Sequence, residues 1–323
     1  MPAKIFNIVL EPVPRINDYC TFRYIILILF AVFCSKNIEA QNRPETENNE
    51  AYGVAFLRTM FINVDYNDAK ASIKVYVDNL QKELLSGFSM RPVYFEDTND
   101  LLKNYSKENL AVITLSSIDY LAYKSKLSLC PMLVSSGKSD PLETYLILVR
   151  KDENITNIET LSDKRIGMLQ RENDPIPVMW LNVLLGNSKI KSKEKSFGKM
   201  IIDNSESQLI LSLFFGQLDA CLVSKTAFET MSEINPQINN RLIIFKYSPG
   251  YLKAVSSFTN NFKKSKYSDS LLRHLTSLDT YPAGRQLFTL TKTAKIILFK
   301  DEYLDNVRIL VADYNKLQKH WIK

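Results

Sequence analysis

Strand-like and helix-like segments alternate along this chain from residue 52 onward. Residues 52–57 have the apolar character of a buried strand, and after them Ala69, Ile73, Val77 and Leu80 recur every three or four residues. Apolar residues at that spacing lie on one face of an α-helix. Repeated alternation of strands and helices is typical of sheet proteins with helical crossovers, so the sequence predicts an α/β fold.

The same pattern continues through most of the chain. Further strands are expected at 91–95, 110–115, 129–134, 144–149, 165–169, 199–202, 220–223, 242–246 and 254–258, and further helices at 158–162, 205–215 and 224–234. A helix from residue 175 or 176 to Leu185 is expected to end at Gly186. The apolar stripe from Leu304 to Trp321 predicts a C-terminal helix that packs on the core.

Two changes in composition divide the folded part of the chain. Residues 151–154 are polar and charged, and residues 247–251 contain Pro249 and Gly250. Crossings at these points predict two lobes, the first formed by residues 51–149 and 251–323 and the second by residues 150–250. Each lobe is expected to be a doubly wound sheet, with two crossover strands at the hinge. Open α/β sheets bind ligands at the carboxyl ends of their strands, which predicts a cleft that closes on its ligand by hinge motion.

The first 40 residues predict an export signal. Residues 24–33 form an apolar run after Arg23, shorter than the roughly 20 residues of a spanning helix. We expect cleavage after Ala40, a flexible linker at 41–50 and a periplasmic location; an uncleaved anchor or a lipoprotein modified at Cys34 are the alternatives. Cys130 and Cys221 then remain, and we expect separate thiols, although an oxidising compartment would allow them to pair.

Composition also argues against several classes of function. Only 9 of 323 residues are glycine, with no G-x-G-x-x-G run and no complete G-x-x-x-x-G-K-[ST] loop. The two histidines, His274 and His320, supply too little material for a zinc site or a Ser/His triad. We therefore expect no catalytic residues, no metal, no cofactor and no nucleic acid. The 41 basic residues exceed the 35 acidic ones, which is compatible with an anionic ligand.

Several stretches resemble one known family, the PhnD-like periplasmic solute-binding proteins of phosphate, phosphite and phosphonate ABC transporters. The resemblance lies in the strand at Gly53 and Val54 with its helix, in residues 110–122, in YLILVRKD (145–152), in IETLSDKRIG (158–167) and in SESQLILSLFFGQLDACLV (205–223). It implies the type II periplasmic binding protein fold and the capture of a small ligand for import.

The chain departs from that family where the anion is held. The family has an S-T-S-G run at a helix N-terminus, whose hydroxyl and N–H groups suit an oxyanion. Residues 170–177 here read QRENDPIP, without serine, threonine or glycine. By the same resemblance Glu206 replaces a ligand-facing histidine and Tyr251 lies near a family acidic residue, so an altered ligand is expected.

Twelve residues are candidates for ligand contact because they lie near strand ends or, for Arg171, because a guanidinium can hold an anion in two places. They are Phe56, Arg58, Thr98, Ser116, Ser117, Thr144, Tyr145, Arg171, Glu206, Ser207, Ser224 and Tyr251. Helix capping is the alternative for the serines, Thr98 and Glu206, strand packing for Thr144 and Tyr145, and a local ion pair for Arg171.

These observations predict an exported solute-binding protein that captures a small anionic ligand by hinge closure. Its expected partner is an inner-membrane ABC permease, and we expect a monomer. Two other classes stay open at this point. One is a ligand-sensing component that signals to a membrane histidine kinase, and the other is an enzyme on the same fold.

Overall fold

Thirteen strands of the described chain fall into two larger sheets and one small one in the computed structural model. The structure describes residues 51–61, 65–83, 89–137, 140–153, 155–161, 164–170, 174–187, 199–203, 205–291 and 293–321. The predicted signal segment 1–40, the predicted linker 41–50 and Arg171 lie outside these residues.

The strands agree with the sequence pattern within a few residues wherever one was predicted. They are β1 (Tyr52–Leu57), β2 (Met90–Phe95), β3 (Leu110–Ser116), β4 (Leu129–Ser136), β5 (Leu142–Glu143), β6 (Tyr145–Arg150), β7 (Arg165–Leu169), β8 (Lys199–Asp203), β9 (Ala220–Ser224), β10 (Leu242–Tyr247), β11 (Tyr251–Leu252), β12 (Ala254–Thr259) and β13 (Lys295–Leu298).

The described α-helices alternate with these strands. They are α1 (Tyr66–Glu83), α2 (Thr98–Asn104), α3 (Ser117–Tyr123), α4 (Ile176–Asn187), α5 (Glu206–Phe214), α6 (Lys225–Ile234), α7 (Gln237–Arg241), α8 (Asn260–Lys263), α9 (Ser268–Thr276), α10 (Pro282–Thr291) and α11 (Asp305–Trp321). The segment predicted as a short helix at 158–162 is a 3₁₀ helix, Ile158–Leu161.

Five strands of the first sheet are arranged in the same order as the five strands of the second sheet. In the first sheet, β13-β4-β12-β3-β1-β2, the parallel strands β1, β2 and β3 are followed by β12, which runs antiparallel between β3 and β4. In the second sheet, β10-β6-β9-β7-β8, the antiparallel strand β6 lies between β9 and β10 in the same way. The predicted two-lobed α/β fold is confirmed.

Burial explains why the central strands are apolar on both faces. Every residue of β9 is buried, as are the first five residues of β6. Sheets with helical crossovers are covered on both faces, so their central strands read as continuous apolar runs rather than as alternating ones. This is why these segments were recognisable in the sequence.

The first crossing lies earlier than the change in composition suggested. β6 pairs with β9 and β10, so the assignment of residues 144–149 to the first lobe was wrong. The chain leaves the first sheet after Ser136 and enters the second at Tyr145. The polar residues 151–153 form a turn at the far end of β6 instead. With this change, the division into two lobes remains our proposal.

Helix α11 runs from the first lobe to the second. Leu304, just before the helix, and Val307 and Leu310 within it are buried, which confirms the predicted packing stripe. The prediction that Gly186 ends helix α4 was wrong, because α4 continues to Asn187. A Cβ at Gly186 would lie 2.4 Å from Leu317 Cδ1, so glycine makes room for α11 there. Cys130 and Cys221 are separate thiols, as predicted, although only Cys221 is fully buried.

Candidate functional site

Each of the two antiparallel crossing strands begins beside a serine that ends a parallel strand. Ser116, at the end of β3, pairs with Ala254 at the start of β12. Ser224, at the end of β9, pairs with Tyr145 at the start of β6. Both serines therefore lie at the edge of their sheet where the chain crosses between lobes, which is the edge that binds ligands in open α/β sheets.

In the first lobe, Asp119 joins two of the predicted ligand residues, one through its carboxylate and one through its backbone N–H. Thr98 Oγ1 donates to Asp119 Oδ2 at 2.8 Å, and the Asp119 N–H donates to Ser116 Oγ at 3.1 Å. We refer to Thr98, Ser116 and Asp119 as the Asp119 cluster. Since β1 lies between β2 and β3, the cluster links the turns on either side of the end of β1.

Ser117 lies between Ser116 and Asp119 in the chain and is fully buried. Its N–H donates to the Lys253 carbonyl at 2.9 Å. Its Oγ has no hydrogen-bond partner among the described residues. Ser117 is the first residue of helix α3, and its backbone partner Lys253 immediately precedes the crossing strand β12.

In the second lobe, another carboxylate accepts a hydrogen bond from a backbone N–H group at the end of a strand. The Ser224 N–H donates to Glu206 Oε1 at 2.7 Å, while Ser224 Oγ accepts the Ala227 N–H at 3.1 Å and caps helix α6. Ser207 Oγ lies 3.2 Å from the Oγ atom of Ser205, and Ser205 is the residue that caps helix α5. Glu206 and Ser224 are thus brought together, and the predicted capping is confirmed for Ser116 and Ser224.

Tyr145 is buried where the two crossings meet. Its N–H donates to Ser248 Oγ at 2.8 Å, and the Ser248 N–H donates to the Tyr145 carbonyl at 2.8 Å. The Tyr145 hydroxyl donates to Asp174 Oδ2 at 2.5 Å. Burial, and then the negative charge of Asp174, raise the pKa of Tyr145 well above its usual value, so the hydroxyl keeps its proton.

A second set of contacts surrounds Glu143. This residue belongs to the small sheet of β5 and β11 and lies two positions before Tyr145 in the chain. Glu143 Oε1 accepts from Thr226 Oγ1 at 3.0 Å, and Lys253 Nζ lies 3.6 Å from Glu143 Oε2. The Thr144 carbonyl accepts the Lys225 N–H at 2.7 Å. Thr144 and Tyr145 therefore contact the strand and helix ends through their backbones.

The remaining candidates are spread more widely. Phe56 is 9% exposed and packs with Phe61 and Tyr94 in the core. Tyr251 is buried in β11, and burial raises its pKa to about 12. Arg58 forms an exposed ion pair with Glu96 at 3.0 Å beside a pocket of about 510 Å³.

The sequence indicated Glu206 as a candidate but not the other carboxylates that partner these residues. Asp119 lies in the first turn of helix α3, and only the approach of Thr98 from another turn gives it a role. Asp174 accepts from Tyr145, and the alternative of an ion pair between Arg171 and its acidic neighbours involves residues outside the described ranges. Ligand contact at the twelve candidates stays a prediction.

Neither a metal site nor a membrane span is found in the parts of the chain that the structure describes. No group of three or more histidine, cysteine or acidic side chains there is placed to hold a metal ion. No helix within the described ranges has the length and apolar character needed to cross a bilayer.

Comparison with known proteins places this arrangement in a family. The family described as "ABC transporter, phosphonate, periplasmic substrate-binding protein" matches residues 62–304. The chain belongs to this family. The phosphonate-binding family comprises substrate-binding proteins of ABC transporters rather than enzymes, and the resemblance noted in the sequence is confirmed. No curated protein sequence matches the chain.

Three solved structures of similar proteins show the same fold. A binding protein component of an ABC phosphonate transporter from Pseudomonas aeruginosa is 12% identical, with 84% of this chain and 89% of that chain covered and a TM-score of 0.58. PhnD1 from Prochlorococcus marinus, in complex with methylphosphonate, is 13% identical over 83% and 99%, with a TM-score of 0.56. A Xanthomonas citri protein bound to ATP is 13% identical over 84% and 99%, with a TM-score of 0.59.

Proposed function

We propose that this protein captures a small anionic ligand, a phosphonate or a related oxyanion, by hinge closure and passes it to an inner-membrane ABC permease. Membership of the phosphonate-binding family carries the proposal. Two of the similar structures hold methylphosphonate and ATP, which both carry phosphorus oxyanions. A periplasmic location, export by the N-terminal segment and a monomeric state are parts of the same proposal.

The strand ends supply the groups that would hold such a ligand. Ser116 and Ser224 each accept a backbone N–H through Oγ, which leaves the hydroxyl protons of these serines to donate to an oxyanion. Lys253, with a half-exposed side chain, supplies a positive charge at the same crossing. A hydrogen bond to a charged ligand is about twice as strong as one between neutral groups.

The geometry of the crossings supports hinge closure. The chain crosses between the sheets twice, between Ser136 and Tyr145 and between Tyr247 and Ala254, and the paired hydrogen bonds between Tyr145 and Ser248 hold the two crossings together. A hinge consists of a few residues at the ends of elements that absorb the change in backbone angles. The lobes can then rotate about this point while each sheet stays intact.

Thermal-shift and calorimetric titrations with methylphosphonate, phosphite and phosphate test the proposal. A ligand at 100 times its Kd stabilises the folded protein by about 2.7 kcal/mol, which raises the Tm by several degrees. Ser116→Ala should weaken binding by about tenfold, since one hydrogen bond to a charged partner is lost. Ser72→Ala, on the exposed face of α1, is the matched control and should bind as the wild type does.

The outcomes separate the parts of the proposal. No Tm shift with any of these oxyanions would contradict capture of a small anion. The purified protein could bind a phosphonate while cells that lack the protein still take phosphonate up normally. That result would contradict the transport role and favour a sensor kinase as the partner.

A further inference from the structure

The predicted anion site presents fewer free donors than its residues suggest. Four of its donor groups already donate to acceptors within the protein, at distances of 2.5–2.9 Å. These are the Thr98 hydroxyl to Asp119, the Ser117 N–H to Lys253, the Ser224 N–H to Glu206 and the Tyr145 hydroxyl to Asp174. An oxyanion that carries no proton therefore meets several acceptors at this edge of the sheets.

Asp119 is the acceptor that lies closest in the chain to Ser116, whose hydroxyl is expected to hold the ligand. Its Oδ2 accepts from Thr98, and within the described parts of the chain no lysine or arginine lies within 4.0 Å of its carboxylate. Glu143, by contrast, has Lys253 at 3.6 Å. Asp119 is only partly buried, beside Ser116 at the end of β3. The residue that carries this carboxylate thus donates its N–H to the Ser116 hydroxyl that is expected to hold the ligand.

We propose that Asp119 determines ligand specificity by accepting a hydrogen bond from a ligand oxygen that keeps its proton. The inference rests on the proposed function, because it concerns the same site. A phosphonate that keeps one P–O–H group donates to Asp119 and accepts from Ser116. A sulfonate has the same tetrahedral shape but no proton, so its oxygens are repelled by the carboxylate. Asp119 therefore excludes fully ionised anions from the cleft.

The Asp119→Asn variant isolates this effect. The amide oxygen of asparagine can still accept from Thr98, so the cluster keeps its internal hydrogen bond, while the amide NH₂ now donates. The wild type should bind methylphosphonate on the order of 10- to 100-fold more tightly than methanesulfonate, the factor expected from one hydrogen bond to a charged group. In Asp119→Asn we expect this preference to fall at least about tenfold, chiefly through a gain in methanesulfonate binding.

Calorimetric titration of the full chain with both probes, at a pH where the phosphonate keeps one proton, provides the measurement. Asp269→Asn is the matched control, because Asp269 also lies in the first turn of a helix of the first lobe but pairs with Lys263 and follows the opposite end of β12. It should leave the preference unchanged. Thermal unfolding of each variant verifies that it is folded.

Each outcome decides between the two levels of the proposal. Equal binding of the two probes by the wild type, or an unchanged preference in Asp119→Asn, would overturn the role of Asp119 and leave anion capture standing. Binding of neither probe by either protein would overturn anion capture and the role of Asp119 with it.

Discussion

A single carboxylate holds together the starts of two parallel strands in the second lobe. Asp219 accepts from Arg165 Nη2 at 2.7 Å, from Arg165 Nε at 3.1 Å and from the Arg165 N–H at 2.8 Å. Asp219 is only 8% exposed to solvent. The hydrogen bonds from the Arg165 side chain hold the pKa of the Asp219 carboxyl below its usual value. Asp219 therefore connects the turn before β9 to the start of β7.

We expect Asp219→Asn to lower the free energy of unfolding at neutral pH by about 1 to 2 kcal/mol, because a charge-assisted pair becomes a weaker neutral one. A carboxyl whose pKa is lowered on folding stabilises the folded state above its unfolded pKa of about 4, and this contribution disappears as the pH falls through the folded value. The difference between wild type and variant in urea unfolding should therefore be constant near neutral pH and shrink below about pH 4.

Asp152→Asn is the control for this prediction. Asp152 is 79% exposed and pairs with Arg150 at the surface, where ion pairs contribute at most about 1 kcal/mol. Its removal should change stability little at any pH. A stability gap for Asp219→Asn that persists in acid would show that packing, not the charge, accounts for the loss.

At the level of elements, glycine governs how helices α4 and α11 meet. Gly186→Ala brings a Cβ within 2.4 Å of Leu317 Cδ1, so the leucine must move. Alanine also favours a helix interior by about 1 kcal/mol over glycine. We expect the two effects to oppose each other in Gly186→Ala and the helical preference alone to act when Leu317→Ala is added. Urea unfolding of both single variants and the double variant measures the coupling between the two sites.

The expectation of coupling would be contradicted if the changes in unfolding free energy caused by Gly186→Ala and Leu317→Ala simply added in the double variant. Residues in contact couple by about 0.5 to 3 kcal/mol, whereas distant ones add within about 0.5 kcal/mol. Gly53 is not a usable control, since a Cβ there would lie 2.7 Å from Leu110 Cδ2 in the sheet. Gly137, where an added Cβ would meet only a backbone oxygen at 3.5 Å, is exposed and serves as the control for glycine substitution.

Elements that bury long apolar runs could be predicted from the sequence, and elements defined by distant pairing could not. β7 was predicted at its observed bounds, because Ile166–Leu169 is an apolar run flanked by polar residues, Arg165 among them. β5 has two residues and exists only because Glu143 pairs with Tyr251, more than a hundred positions away. No local pattern marks such a strand.

The same distinction holds for the candidate site. Ser116 and Ser224 were identifiable because each follows an apolar strand and begins a helix, which is a local signal. Glu206 was a candidate as well, but its contact with Ser224, and the contact of Asp119 with Thr98, could not be predicted, because they form only after separate strand ends have met. The change in composition at residues 151–154 misplaced the first crossing for a related reason, because a surface turn and a crossing are equally polar.

Over the whole molecule, contacts at the hinge connect the two lobes on more than one side. Asn306 Nδ2 in α11 donates to the Gly250 carbonyl at 2.9 Å, and Leu317 further along α11 packs on Gly186. Ser248 joins the two crossings through Tyr145. The closure that we propose would therefore bend the chain at the two crossings, before Tyr145 and at 248–253, while α11 keeps its contacts.

The hinge contact of Ser248 predicts how closure appears in amide hydrogen exchange. With methylphosphonate bound, exchange should slow at residues 116–119 of the first lobe and 224–227 of the second, because closure buries both strand ends, and should stay unchanged at Tyr145 and Ser248. Ser248→Ala leaves the buried Tyr145 N–H without its acceptor, which costs about 1 to 3 kcal/mol and should speed exchange there. Ser232→Ala, which removes a buried hydroxyl that has no partner among the described residues, should not. Slower exchange confined to one lobe would show that the ligand binds without closure.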